Sequence, residues 1–222
     1  MGTRGDGKDV TARLREAITS GRFQPSERLI EMELAASLAT NRANVRTALA
    51  QLEQEGLVVR EANRGARVRL VSHEDAIEIT QARGALEAFV AGLAAARAKR
   101  SDHARLRALV EEMRAAVETG DLIAYSKING LLHAEILRIA GHRTAAKLLA
   151  NLNSQVVRFQ YRSILLPGRS RRSLAEHEKI IAAICAGDVE AAERAMGAHL
   201  RAAAEALRDV IKASFEARET LE

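Results

Sequence analysis

Residues 11–70 read TARLREAITSGRFQPSERLIEMELAASLATNRANVRTALAQLEQEGLVVREANRGARVRL, a pattern of three short helices followed by a basic two-stranded wing. Val10, Leu14 and Ile18 recur at i, i+4 and i+8, which puts one apolar stripe on a first helix of about Lys8 to Ser20, ended by Gly21. Beyond Pro25 a second helix fits Glu31 to Leu38, with Leu34 and Leu38 inward and Ala35 and Ala36 allowing close approach. Ala39 and Thr40 then form a tight turn. Asn41 is suited to cap a third helix of Arg42 to Glu55, because its side-chain oxygen can accept from an orphan amide of the first turn, and Gly56 suits a left-handed stop.

On that third helix Val45, Leu49 and Leu52 face inward, which leaves Arg42 and Arg46, four residues apart, free to approach a major groove, with Asn44 in the same turn. Leu57–Arg60 and Ala66–Leu70 are β-prone, and the loop between them ends on Gly65 with Arg64 near its tip. From Arg42 to Arg69 there are six arginines against three glutamates, an excess suited to phosphate neutralisation. A merely solvated basic face would leave the helix order and the wing unexplained.

These residues resemble the GntR-type winged helix-turn-helix bacterial transcription regulators. The resemblance rests on Leu14-Arg15-x-x-Ile18 with Gly21, Pro25 and Leu29, Glu33-Leu34-Ala35, Asn41-Arg42-x-x-Val45-Arg46-x-Ala48-Leu49, Leu52-x-x-Glu55-Gly56-Leu57, and Asn63-Arg64-Gly65-Ala66-x-Val68. It implies DNA contacts from Asn41, Arg42, Asn44 and Arg46 at the recognition helix, and from Arg64 and Gly65 at the wing. Met32 stands where an arginine is common, and Asn41 and Asn44 replace a hydroxyl residue and a small one. The operator is therefore expected to differ from the family's common half-site. Ser26 replaces a glycine after Pro25, which asks only for a slightly different turn.

A chain of 222 residues leaves about 150 beyond a winged helix, so two domains are expected, 1–71 and 72–222. Few aromatics, two prolines and abundant alanine and leucine favour a mostly α second domain, read as an antiparallel bundle of six helices. Its boundaries are expected at about His73–Lys99, Ser101–Thr119, Asp121–Ala140, Arg143–Leu165, Arg171–Ala186 and from Gly187-Asp188 to near Phe215. On the first of these Ile77, Ile79, Leu86, Phe89, Val90 and Leu93 are the inward candidates. Residues 1–72 hold 12 basic and 9 acidic side chains, and the remainder 22 and 20, so DNA is not the second domain's obvious partner. The lone Cys185 excludes an internal disulfide, and no run looks like a signal peptide or a membrane span; a cytoplasmic protein is expected.

The histidines carry the chemistry of that bundle. Asn129 and His133 are i and i+4 beside Leu132, Ile136 and Leu137, so they share a buried helix face. His177 and His199 flank the Gly187-Asp188 turn at similar depth, roughly 15 to 18 Å along a hairpin. Three imidazoles and one amide oxygen can hold a transition ion with positions left open, although histidines in a core more often simply hydrogen-bond. The residues alone leave both readings open. The domain also resembles the FCD effector domain of FadR-type regulators, through Arg83-x-x-Leu86-Glu87 and His177-x-x-Ile180-x-x-Ala183-Ile184-x-x-Gly187-Asp188-x-x-x-Ala192-x-x-x-Met196-x-x-His199-Leu200. That resemblance implies metal ligation by Asn129, His133, His177 and His199, with Asn129 where most metal-binding members have aspartate. Zn or Ni suits such donors.

Arg83, Arg158 and Arg162 are each candidates for gripping an anionic effector as a carboxylate fork, Arg83 also because the resemblance sets it beside the cavity, with surface charge the competing reading for the other two. His73, His103 and His142 lie near helix ends, where capping suffices. A metalloenzyme is disfavoured: there is no HExxH, Gly-rich phosphate loop or Ser/His/Asp set, and Glu178 points about 100° from His177 on a helix. The expectation is a homodimeric repressor, binding a palindromic operator and controlled by a small carboxylate held through the metal. A metal-free sensor and an architectural DNA binder without effector are the alternatives.

Overall fold

The computed structural model describes residues 4–61 and 65–219, with side chains described from Asp9 onward except those of residues 61, 157, 158, 160–162 and 213–219. The backbone divides into two units, Met1–Ser72 with Asn153–Val157, and His73–Leu152 with Arg158–Glu222.

In the first unit α1 (Arg4–Thr19), α2 (Glu31–Ser37) and α3 (Arg42–Gln54) pack around one core. Val10, Leu14 and Ile18 from α1 meet Leu34 of α2 and Val45, Leu49 and Leu52 of α3, all at most 5% exposed. Each such side chain contributes roughly 1.5–3 kcal/mol of transfer free energy. Asn41 Oδ1 accepts from the Asn44 N–H at 2.8 Å, the cap expected there. Gly56, at φ +72°, follows the end of α3, a backbone state that favours glycine.

The wing is one strand richer than the sequence suggests. β2 (Val58–Glu61) and β3 (Gly65–Val68) pair antiparallel with Val58 opposite Val68 and Arg60 opposite Ala66. A two-residue strand, β1 (Arg28–Leu29), adds to the far side of β3, giving the order β1-β3-β2. Leu29, Ala66 and Val68 turn into the core. The approach to β1 corrects the expectation for Ser26. It takes φ 66°, the left-handed region itself, while its N–H donates to Val68 O at 2.9 Å, so serine occupies a conformation natural to glycine rather than a different turn.

The second unit is built of α4 (His73–Arg97), α5 (Arg100–Thr119), α6 (Leu122–Ala140), α7 (Arg143–Ile164), α8 (Arg169–Ala186) and α9 (Val189–Glu219). Asp121 caps α6 by accepting from the Ala124 N–H at 2.9 Å, and His142 Nδ1 caps α7 by accepting from the Ala145 N–H at 3.1 Å. Gly120, Gly141 and Gly187 close α5, α6 and α8 in left-handed conformations. Leu106, Met113, Leu132, Ile136, Ile180, Ile184 and Met196 form the centre of the core.

Two expectations change in this unit. The helix α8 begins at Arg169 rather than Arg171, and that arginine is buried. On α4 the inward face carries Val90, with Leu86 and Leu93 packed against the core, but Phe89 is exposed, its ring edge-on to His142 at 5.4 Å. The buried positions toward the N-terminal half of α4 are Ala76, Thr80, Arg83 and Glu87. Apolar periodicity cannot find a helix face whose inward residues are charged.

Candidate functional site

Two groups of residues are candidate sites, one in each unit. On the first, the opening turn of α3 projects Asn41, Arg42 and Arg46 to solvent, with Asn44 half-buried and its Nδ2 donating to Thr40 Oγ1 at 3.1 Å. Both arginines meet Glu31, the first residue of α2. Arg46 donates through Nε at 3.2 Å and Nη2 at 3.0 Å, and Arg42 Nη2 lies 3.6 Å away. Hydrogen bonding from Arg46 holds the Glu31 carboxyl below its ordinary range. Met32, 67% exposed, stands beside this cluster on α2. Gly65 opens β3 at φ +87° with open space around it, whereas Arg64 lies outside the described residues.

On the second unit three helices bring His133 (α6), His177 (α8) and His199 (α9) together, with one ligand-capable atom from each lying within 4.8 Å of the others. Ring centroids are 4.3 Å apart for His177 and His199, 5.3 Å for His133 and His177, and 5.5 Å for His133 and His199. His177 and His199 are buried and His133 is largely so. Burial, followed by the charges of neighbouring histidines, pushes His177 and His199 well below the usual imidazole range. Asn129, one turn before His133, keeps its Oδ1 buried with no hydrogen-bond partner among the described residues. Tyr125, one turn earlier again, is fully buried, and burial pushes its phenol up to about 12.

The outer nitrogen of every ring is engaged. His133 Nδ1 lies 2.6 Å from Glu87 Oε2, His199 Nδ1 2.7 Å from Glu176 Oε2, and His177 Nδ1 2.7 Å from Ser173 O, each oxygen placed to accept from a protonated Nδ1. With those protons placed, the inner nitrogens are acceptors, yet His133 Nε2 and His177 Nε2 stand 3.1 Å apart. Two lone pairs at that distance repel unless a cation or a shared proton lies between them.

Glu87 also accepts from Arg83 Nε at 3.0 Å and Nη2 at 2.6 Å, and Glu176 from Arg169 Nη1 and Nη2 at 2.9 Å each. Burial works to raise the Glu87 carboxyl, but the charges of Arg83 and His133 overcome it and hold the group well below the usual carboxylate range. Arg83 therefore sits beside the cluster as expected, but as the partner of Glu87 rather than as an open fork. The side chains of Arg158 and Arg162 lie outside the described residues. Glu178 turns away from His177 and accepts from Arg114 Nη2 at 2.5 Å. Glu87, Glu176, Arg169 and Ser173 are the site residues that sequence reasoning passed over. The i, i+4 spacing of Arg83 with Glu87, and of Ser173 with His177, was the available signal.

A basic winged helix joined to a separate helical unit is the architecture of a DNA-binding regulator. The chain belongs to the GntR family of bacterial regulatory proteins, whose model matches residues 7–68, and it carries an FCD domain over residues 78–202. It is similar to the probable D-xylose utilization operon transcriptional repressor of Paenarthrobacter nicotinovorans, with 30% identity over 189 residues, 83% of this chain and 81% of that protein. It is also similar to the HTH-type transcriptional repressor RspR of Escherichia coli K12, with 28% identity over 197 residues, 89% of this chain and 86% of that protein. Among solved structures, E. coli McbR/YncC superposes with a TM-score of 0.76 over 94% of this chain and 99% of that one, at 22% identity, a likeness of fold. The protein is thus a DNA-binding transcription regulator and not an enzyme. No described helix is long and apolar enough to cross a membrane.

Proposed function

We propose that this regulator is a cytoplasmic homodimeric repressor whose operator affinity is set by a small carboxylate bound through a divalent transition metal, zinc or nickel, in the helical unit. Residues 1–71 read the operator and residues 72–222 sense and dimerise. The observation that carries the metal assignment is the apposition of His133 Nε2 and His177 Nε2 at 3.1 Å with both Nδ1 protons committed outward. His133, His177 and His199 would hold the ion through nitrogen, and the orphaned Asn129 Oδ1 would supply a neutral fourth donor. The bound ion supplies Lewis acidity toward an oxygen ligand. All four donors are neutral, so the ion's charge stays uncompensated and favours an anion in the remaining positions.

DNA reading falls to Asn41, Arg42, Asn44 and Arg46 in the major groove, with Arg64 and Gly65 at the wing; two copies related by a two-fold axis match a palindrome. The carboxylate acts by favouring a state in which the two winged helices no longer fit their half-sites. The test is operator binding by full-length protein of defined metal content, screened against a panel of carboxylic acids. Release from DNA that requires both metal and one of the acids is the expected result. Operator affinity indifferent to metal and acids alike would leave an architectural DNA binder, and a response to acid without metal would leave a metal-free sensor.

A further inference from the structure

We propose that Glu87 and Glu176, aimed by Arg83 and Arg169, are positioning residues that hold His133 and His199 in the Nδ1–H tautomer and so present Nε2 to a cation. The inference rests on the metal reading above and adds the two relays behind the ligands. A neutral imidazole carries one proton, which can sit on either nitrogen, and only a ring protonated at Nδ1 offers Nε2 as a donor. A carboxylate oxygen only accepts, so the contacts from His133 to Glu87 at 2.6 Å and from His199 to Glu176 at 2.7 Å decide where each proton lies. His177 needs no carboxylate because the Ser173 carbonyl performs the same task at 2.7 Å.

The two carboxylates are held differently. Arg83 puts both its Nε and Nη2 on Glu87 Oε1, leaving Oε2 to His133 alone. Arg169 straddles Glu176, so Oε2 takes both an arginine N–H and the His199 N–H. The side chains of Arg83, Glu87 and Arg169 are at most 8% exposed, and that of Glu176 is 24% exposed. The relays also bring α4, which supplies no metal ligand, into direct contact with the site.

That difference makes the two glutamine variants diverge. In Glu87→Gln the single amide oxygen is claimed by Arg83, the NH2 turns toward His133 and donates to Nδ1, and the ring is forced to Nε2–H. In Glu176→Gln an amide oxygen at the shared Oε2 position still accepts from His199, so the tautomer survives. The experiment records long-range 1H–15N spectra of histidine-labelled full-length protein, zinc-free and zinc-loaded, and measures zinc affinity by chelator competition. The expected result is Nδ1–H on all three rings of the wild type, a flipped His133 in E87Q with zinc affinity lower by about ten- to a hundredfold, and a smaller loss in E176Q with His199 unflipped. A bare Nδ1 on His133 or His199 in the zinc-free wild type overturns the proposal. So does an E87Q protein with unchanged tautomer and unchanged zinc affinity. Failure of the wild type to bind zinc would instead remove the metal reading, while its zinc-free spectrum still decides the tautomers.

Discussion

The Nε2 atoms of His133 on α6 and His177 on α8 face each other across 3.1 Å, with neither ring able to turn away without surrendering its outer hydrogen bond. Such an arrangement is costly when nothing lies between the nitrogens and favourable when a cation or a shared proton does. Ligand linkage then gives the consequence for the whole molecule, since anything that binds only the folded state stabilises it by mass action.

Zinc at a hundredfold excess over its dissociation constant is therefore expected to stabilise the helical unit by about 2.7 kcal/mol. Thermal unfolding of chelator-treated protein, with and without added zinc, measures this. A melting temperature indifferent to zinc, nickel and cobalt would defeat the assignment.

Asn129→Asp exchanges a neutral oxygen for an anionic one on a half-buried residue whose Oδ1 is buried with no described hydrogen-bond partner. Metal binding is expected to tighten by about tenfold or more, at the cost of some stability in the metal-free protein, where the new carboxylate is buried and unpaired. Chelator competition gives the first quantity and metal-free denaturation the second. Unchanged metal affinity would remove Asn129 from the ligand set.

Glu31 spends its charge on Arg46 and Arg42. In Glu31→Gln those guanidiniums are less restrained, so non-specific DNA affinity is expected to rise, and the plot of log affinity against log salt to steepen by up to about one unit. Binding to random-sequence duplex over a salt series reads both. A loss of non-specific affinity would mean that Glu31 presents the arginines rather than shielding them.

Ser26 in the left-handed region offers a stability gain. Ser26→Gly removes roughly 1 kcal/mol of steric cost and returns part of it as unfolded-chain entropy, so a net gain of about 0.5 kcal/mol is expected. Hydrogen exchange of the Val68 amide, whose partner is Glu27 O, reports this region directly. Slower exchange in the variant is the expected outcome and faster exchange the contrary one.

Glu55 receives Arg15 Nε and Nη2 at 2.7 Å each. That hydrogen bonding, partly opposed by burial, keeps its carboxyl below the ordinary value. A depressed carboxylate stabilises fully above its unfolded pKa, about 4.3, and the contribution is lost as pH falls through the lower folded value. Glu55→Gln is accordingly expected to cost about 1 kcal/mol near pH 7 and progressively less below pH 4, as read from exchange of α3 amides. A pH-independent deficit would contradict the ion pair.

The helices of the winged helix were legible because their signals are local: the 3.6-residue stripe of Val45, Leu49 and Leu52, the Asn41 cap, the Gly56 stop. β1 was not, because two residues, Arg28 and Leu29, are a strand only through their pairing with Arg67 and Ala66, some forty positions away. His133, His177 and His199 were legible because helix register and hairpin symmetry place them without knowledge of packing. Glu87 and Glu176 escaped because their arginine partners on the same helix read as ordinary surface pairs, while the histidines they face, His133 and His199, lie on other helices. Phe89 erred in the opposite sense, an apolar residue that lies off the α4 face shared by Arg83, Glu87 and Val90.

The course of α4 has a mechanical meaning. His73, the residue that follows Ser72, and Glu87, which grips a ring of the histidine cluster, belong to one helix without a proline, about 21 Å apart along its axis. Gly84, between them, is pinned rather than loose, since a Cβ there would come within 3.2 Å of Leu200 Cβ. Between His73 and Glu87 the helix has no proline at which to bend, so a turn of the His133 ring is expected to move this stretch of α4 as one body.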